Sequence, residues 1–371
     1  MYLIQRRILI KIVAQTLFVF AFVGVIVTTT QVLNQVFRLI DASSNLWVAL
    51  EMFVFLIPTI TVSVLPIAFL IACINVYDRM DEDRESVILI GTGAHPVFRI
   101  VPAGALALLL SGLIAVLSLF VEPAANHTVR TTIDSLKYDM LKILAGNGSL
   151  QKVQDGLFIR GGGYNEAGLI DGLFILDRRD PAEEVSYVAQ TGEFIEGNAD
   201  VLLKLYNGSI QMRNTTTDEV HRIQFGTYET EPQMFLEEPD RLGIRPRQTS
   251  TGELRRMASG TEGLRYPMSS VRKELIRRYT DWLYPLVFFS LAAFLVLRTR
   301  PSREGSRWRL PVAVLAGFLI KALGLVLLGN AGVSAVAATA SYVMPATVAA
   351  LLLTLALVRA TVGRVRRLRA A

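Results

Sequence analysis

The chain has 371 residues, 52% of them hydrophobic and only 19% charged, with a formal net charge of +6. An ordinary soluble domain carries about 25% charged residues, and here the charge is further depleted from long runs. A soluble enzyme, a disordered tail and a nucleic-acid-binding protein are excluded as readings of the whole chain.

In chain order, uncharged apolar runs cover Ile12–Phe37, Met52–Tyr77, Ile100–Val121 and Trp282–Leu297. A fifth starts at Leu310 and is interrupted by Lys321, and a sixth closes at Val358. Crossing a hydrocarbon core of about 30 Å takes roughly 20 apolar residues, so the pattern predicts six transmembrane helices in a 3+3 layout. The fourth is taken as Tyr279 to Leu297 and the fifth as Pro311 to Gly329. The first has the basic start of a signal peptide, yet Val25 to Phe37 offers no small-x-small cleavage site, so it is read as an uncleaved span. Prolines 58, 66 and 345 fall inside spans and predict kinks.

Charge gives the expected orientation. Arg6, Arg7 and Lys11 precede span one; Arg298, Arg300, Arg303, Arg307 and Arg309 follow span four; Arg359, Arg364, Arg366, Arg367 and Arg369 follow span six. Short basic segments stay cytoplasmic. All three segments, and both termini, are therefore expected inside, with the net-acidic insert 122–280 outside.

Within the insert, Glu122 to Leu144 has helical spacing and is expected to prolong span three. Short β-type runs follow over about 150–235: Gly156–Arg160, Gly168–Leu176, Glu184–Ala189, Glu193–Ile195, Val201–Tyr206, Ile210–Met212 and Glu219–Tyr228. Gly161-Gly162-Gly163, Asp180-Pro181 and Gly197-Asn198 separate some of them, and Asn207-Gly208 reads as a hairpin turn. Seven or so such strands predict an all-β, jellyroll-like domain. A polar linker, 236–270, completes the insert, with one helical segment at Gly252–Ala258 capped by Ser250 or Thr251. Residues 281–371 then hold spans four to six.

Chemistry-bearing motifs are sparse. Gly91-Thr92-Gly93 lacks the lysine of a P-loop, and no metalloprotease or nucleophile-elbow pattern occurs. His95, His127 and His221 are too scattered for a metal, and the lone Cys73 precludes an internal disulfide. No cofactor, metal or catalytic residue is expected.

Three charged features remain. The first is Asp78-Arg79-Met80-Asp81-Glu82-Asp83-Arg84-Glu85, running on to Gly93 between spans two and three. It reads either as a solvated loop or as an acidic, partly helical knob for a basic groove on a cytoplasmic partner. The second is the cluster Arg272, Lys273, Arg277 and Arg278, with Arg38 on the same side. These residues suit either an anionic lipid headgroup or pairing with Glu274 and Asp281. The third is Lys321. A charge at the bilayer centre costs roughly 2.5–3.5 kcal/mol on insertion scales, so it is expected to face a protein partner or a wet cavity.

Four blocks of sequence together resemble the lipopolysaccharide-export permeases of the LptF/LptG (YjgP/YjgQ) family, end to end. They are Leu65-Pro66-Ile67-Ala68-Phe69-Leu70 with the acidic loop Asp83-x-Glu85 and Gly93-Ala94; Glu122-Pro123; Leu203-Lys204-Leu205-Tyr206-Asn207-Gly208 with Arg222-Ile223-Gln224-Phe225 and Tyr228; and Glu274-Leu275-x-x-Arg278. Asn34 to Arg38 and the tail Val365-Arg366-Arg367-Leu368-Arg369 are more similar to the LptF branch than to LptG.

The resemblance implies a non-catalytic permease that pairs with an LptG sibling, a dimer of the ATPase LptB and the single-span LptC. It implies that lipopolysaccharide is extracted from the inner membrane and passed to the periplasmic bridge protein LptA, with ATP and Mg²⁺ used by the motor alone. It makes Asp81, Asp83, Arg84, Glu85 and Gly93 an ATPase-coupling segment, with Glu85 as the acidic contact. It makes Arg38 a lipid-phosphate contact, while Gln35 stands where the family can show a second basic residue. A non-transporting scaffold that recruits envelope proteins is the competing reading.

Overall fold

The computed structural model describes residues 2–36, 46–91, 95–129, 131–132, 148–196, 201–215, 217–230, 246–261, 263, 266–298 and 308–368. The chain divides into two compact units, one of Met1–Asn34, Val48–Val129 and Arg245–Ala371, the other of Gln35–Trp47 and Arg130–Ile244.

The first unit is helical. Among the described residues six helices are long and apolar enough to cross a membrane: Leu3–Thr30, Val54–Glu82, Val101–Val129, Met268–Leu297, Arg309–Asn330 and Ala335–Thr361, here spans one to six. The helices of spans two and six run through Pro58, Pro66 and Pro345 without interruption. In lipid, every backbone polar group needs an internal partner, and hydroxyls bonded one turn back, such as Thr16 to Ile12 O at 2.7 Å, keep side-chain polarity inside the helix as well.

The core of this unit lies where spans two, three and four meet, around Phe69, Leu70, Tyr77, Leu110, Val287 and Phe288. Small residues let neighbours approach, as expected where packing drives association. A Cβ on Gly317 of span five would lie 2.6 Å from Leu70 Cδ2, and one on Gly324 would overlap the Tyr284 hydroxyl.

Span four differs from its sequence-based start. Its helix begins at Met268, ahead of the apolar run, and passes through a 3-10 turn at Asp281–Leu283. Hydropathy misses the first eleven residues, 268–278, because they carry four basic groups and Glu274, of which Arg277, Arg278 and Glu274 are paired locally. The linker helix is Thr251–Ala258, and Ser250 caps it by accepting from Glu253 N at 3.2 Å. The helical extension expected beyond span three runs on through Val129, and the rest of it falls largely outside the described residues.

The second unit holds a six-stranded antiparallel sheet in the order β1 to β6: Gln151–Gln154, Leu157–Arg160, Ile170–Asp177, Glu183–Glu196, Val201–Asn214 and Val220–Thr230. The inserted β-domain is thus present, with fewer and longer strands than the turn signals imply. Asn207-Gly208 is no hairpin. Asn207 does adopt the left-handed backbone such a turn wants, at φ 50°, but it sits mid-strand in β5.

Its place explains the misreading. Pairing across β3 to β6 skips one row, made of Gly172, Gln190, Asn207 and Gly226, while register is kept on both sides of it. Facing alternates with period two along an unbroken strand, so Ala189 and Gly192, or Leu205 and Ile210, would point oppositely. Both members of each pair are buried in these strands. The row is therefore a crease at which the long strands change facing and serve one apolar cluster from both sides, with Leu157, Ile159, Ile170, Leu173, Ile175, Tyr187, Ala189, Leu203, Leu205 and Ile210 buried in it and Phe194, Phe225 and Tyr228 packed against it. Gly208 must be glycine here, because a Cβ would run into the Val188 carbonyl and the Phe225 ring.

Candidate functional site

Among the described residues, the charged groups singled out in the sequence collect at two opposite ends of the membrane unit. At one end spans two and three are joined (the hairpin end). At the other, spans three and four flank the insert in the chain (the insert end).

At the hairpin end, span two's helix stops at Glu82 and a short helix, Glu85–Gly91, follows. Arg84 makes the break, taking a left-handed φ of 59° that is uncommon outside glycine and asparagine. Asp83 and Arg84 are exposed. Glu85 is half-exposed, and Lys11 Nζ of span one donates to both its oxygens at 3.0 and 3.2 Å. Asp81 behaves differently from these neighbours. It is 2% exposed, and its carboxylate accepts from Arg99 and Arg309. Burial pulls the Arg99 guanidinium below its ordinary range, and the facing Asp81 opposes that pull. Gly93 lies outside the described residues.

At the insert end, Arg277 donates to Glu122 at 3.0 Å, to Glu274 at 2.8 and 3.1 Å and to Asp281 at 3.1 Å. Arg278 is fully buried. Its guanidinium donates to Glu274 at 2.8 Å, to the Thr251 hydroxyl at 2.8 Å and to the carbonyls of Pro246, Arg247 and Thr249. A π-turn at Leu117–Val121 alters span three's backbone pairing nearby, and Leu119 O accepts from the Thr251 hydroxyl at 2.6 Å. Such turns recur at functional sites. Here the turn helps tie span three to the linker helix.

Lys321 resolves as a pair. Its ammonium lies 3.2 Å from Asp281 Oδ1 and 3.6 Å from the centroid of the Tyr284 ring, so a carboxylate and an aromatic face share the cost of its burial. Of the other basic residues, Arg272 is exposed and Lys273 is half-buried, its stem running beside Gly332. Neither forms an ion pair with a carboxylate among the described residues. The side chains of Gln35 and Arg38 lie outside the described residues.

Arg277 and Arg278 therefore answer to protein carboxylates and carbonyls, while Arg272 and Lys273 keep charge at the surface. The sequence reading missed Lys11, Arg99 and Arg309 as members of the hairpin end and Glu122 as a member of the insert end. Glu274 and Arg278 were recoverable, being one helical turn apart.

Residues 6–360 match the family described as lipopolysaccharide export system permease LptF/LptG. The chain belongs to that family. The match covers all six spans and the inserted sheet, so this multi-pass membrane protein has the role of a lipopolysaccharide export permease. No curated protein matches the chain. Within the permease, the hairpin end presents an accessible acidic group on a short helix, and the insert end presents exposed basic groups on a frame of buried ion pairs.

Proposed function

We propose that the permease is the membrane subunit of an ATP-driven transporter that draws lipopolysaccharide from the bacterial inner membrane and delivers it toward the outer membrane. The observation that carries this reading is the family match over residues 6–360. ATP and Mg²⁺ belong to a separate motor, a dimer of LptB, which docks at the hairpin end. Glu85, with Asp83 and Arg84, offers the surface charge for that contact, and Gly93 ends the docking segment. The hairpin end and both termini face the cytoplasm, in keeping with the basic segments beside spans one, four and six. The β-domain is then periplasmic.

We assign the chain to the LptF side of a heterodimer with LptG, with LptC as a further single-span subunit. The sibling covers exposed apolar surface on spans one, five and six, where Phe18, Phe22, Leu319 and Leu355 face outward. At the insert end, Arg272 and Lys273 meet the phosphorylated headgroup, since charge-assisted bonds to phosphate are strong and arginine can make two; the family resemblance adds Arg38 and Gln35 as lipid contacts. Lys321 lies at the edge of this rim, and Arg277 and Arg278 support it from behind. The apolar face of the β-domain shelters acyl chains before transfer to LptA.

The deciding experiment is purification of the tagged chain from native membranes in mild detergent, with mass spectrometry of proteins and lipids. Recovery of a P-loop ATPase, a second six-span permease and lipopolysaccharide is the expected result. Recovery without an ATPase overturns the motor-driven reading. In the same preparation Glu85→Lys removes the ATPase and leaves the sibling bound.

A further inference from the structure

The hairpin end holds more buried charge than joining two helices requires. Asp81 lies in the last turn of span two, just before the left-handed break at Arg84. Its two oxygens go to different helices. Oδ1 accepts from Arg99 Nη1 at 3.0 Å, and Oδ2 accepts from Arg309 Nη1 at 2.7 Å.

Arg99 stands in the 3-10 turn that leads into span three, and its Nη2 donates to Val296 O of span four at 3.1 Å. Arg309 opens span five and also donates to Asp78 at 2.8 Å. The Tyr77 hydroxyl closes the group by donating to Arg99 O at 3.1 Å. One buried carboxylate thus joins span two to spans three and five directly, and to span four through Arg99. Removing one member of a buried ion pair leaves an uncompensated charge, so the cluster persists as a set.

Beyond it, the chain turns through Asp83 and Arg84 into the short helix Glu85–Gly91. That helix is joined to span two by these two residues and to span one by the half-exposed Lys11–Glu85 pair, and the first buried ion cluster behind the joint is that of Asp81. Bending at the joint would dissipate a force on the short helix unless the ends of the spans behind it moved together.

We infer that Asp81, Arg99 and Arg309 are positioning residues that transmit motion of the short helix to the ends of spans two to five, and that Asp81 itself does not touch the motor. This inference rests on the reading of Glu85–Gly91 as the motor-contacting helix. It separates Asp81 from Glu85, two acids four positions apart.

The test uses the complete complex, reconstituted with lipopolysaccharide, and measures both ATP hydrolysed and lipid delivered. In Asp81→Asn the motor copurifies at the wild-type ratio, while lipid delivered per ATP falls roughly tenfold, the size of an ordinary coupling free energy. Asp81→Glu restores most of that ratio. A second readout needs no motor. Cys73 is buried and Ile88 on the short helix is exposed, so a nitroxide can be placed at Ile88→Cys in the full chain. Its spectrum sharpens when Asp81→Asn is added and returns toward the parent with Asp81→Glu.

If Asp81→Asn yields no folded chain in the membrane, Arg99→Lys takes its place, with the same two changes expected. Loss of the motor from Asp81→Asn overturns the inference, because Asp81 would then be a docking contact. Unchanged delivery per ATP, or an unchanged nitroxide spectrum, also overturns it. A wild-type chain that recruits no motor sinks the motor reading instead, and the spectrum still decides whether Asp81 holds the short helix.

Discussion

The two buried charge clusters solve the same problem in opposite ways. At the hairpin end an acid is the shared group, and its arginines arrive 18 and 228 positions away in the chain. At the insert end arginines are the shared groups, and two of their carboxylates lie within one turn of the same helix. The first arrangement binds separate helices together at a point. The second stiffens one polar helix, then clips span three, span five and the linker helix onto it through Glu122, Lys321 and the carbonyls around Arg278. Motion between helices would break the first and leave most of the second intact.

Substitutions can test that contrast, beginning with the largest effect. Arg278→Ala should cost about 3–5 kcal/mol, because it removes the fully buried partner of Glu274 and leaves the carbonyls of Pro246, Arg247 and Thr249 without that donor. Unfolding in mixed micelles would measure this, and a cost below that of Lys11→Met would remove the insert end as a structural frame. Arg278→Lys should recover little, since an ammonium cannot reach a carboxylate and three carbonyls in one plane. Gly324→Ala should cost about 1–3 kcal/mol by overpacking against Tyr284, and adding Tyr284→Phe should return part of it in a double-mutant cycle. Ser250→Ala should cost about 1 kcal/mol through the lost cap, seen as a modest drop in the same unfolding midpoint. Lys11→Met should change stability by less than about 1 kcal/mol, because its pair with Glu85 is 41% exposed on both sides. Any larger loss would make the hairpin end a frame reaching span one as well.

Hydropathy made the six spans readable, since bilayer length is a strong constraint and the runs are nearly free of charge. The cap at Ser250 was also readable, as were the one-turn pairs of span four. Span four's true start was hidden because its first eleven residues look soluble until their partners are known. Arg99, Asp81 and Arg309 could not be grouped from spacing, which has no information on which helix ends meet. Asn207-Gly208 was misread for a different reason: the residue type announces a left-handed backbone correctly but does not say whether the chain reverses there or only folds over. Asp81 and Glu85 look equivalent as letters, and burial alone separates them.

The row of Gly172, Gln190, Asn207 and Gly226 has a consequence for how the β-domain can vary. Four strands must reach the fold line in step, so each strand's length on one side is measured against its neighbours rather than against a loop. Adding or deleting one residue inside β4 would move its fold point off the line and turn half of its side chains outward. Length changes are therefore confined to the strand ends, and any lineage that lengthens this domain has to do so at its hairpins or by adding strands at β1 or β6.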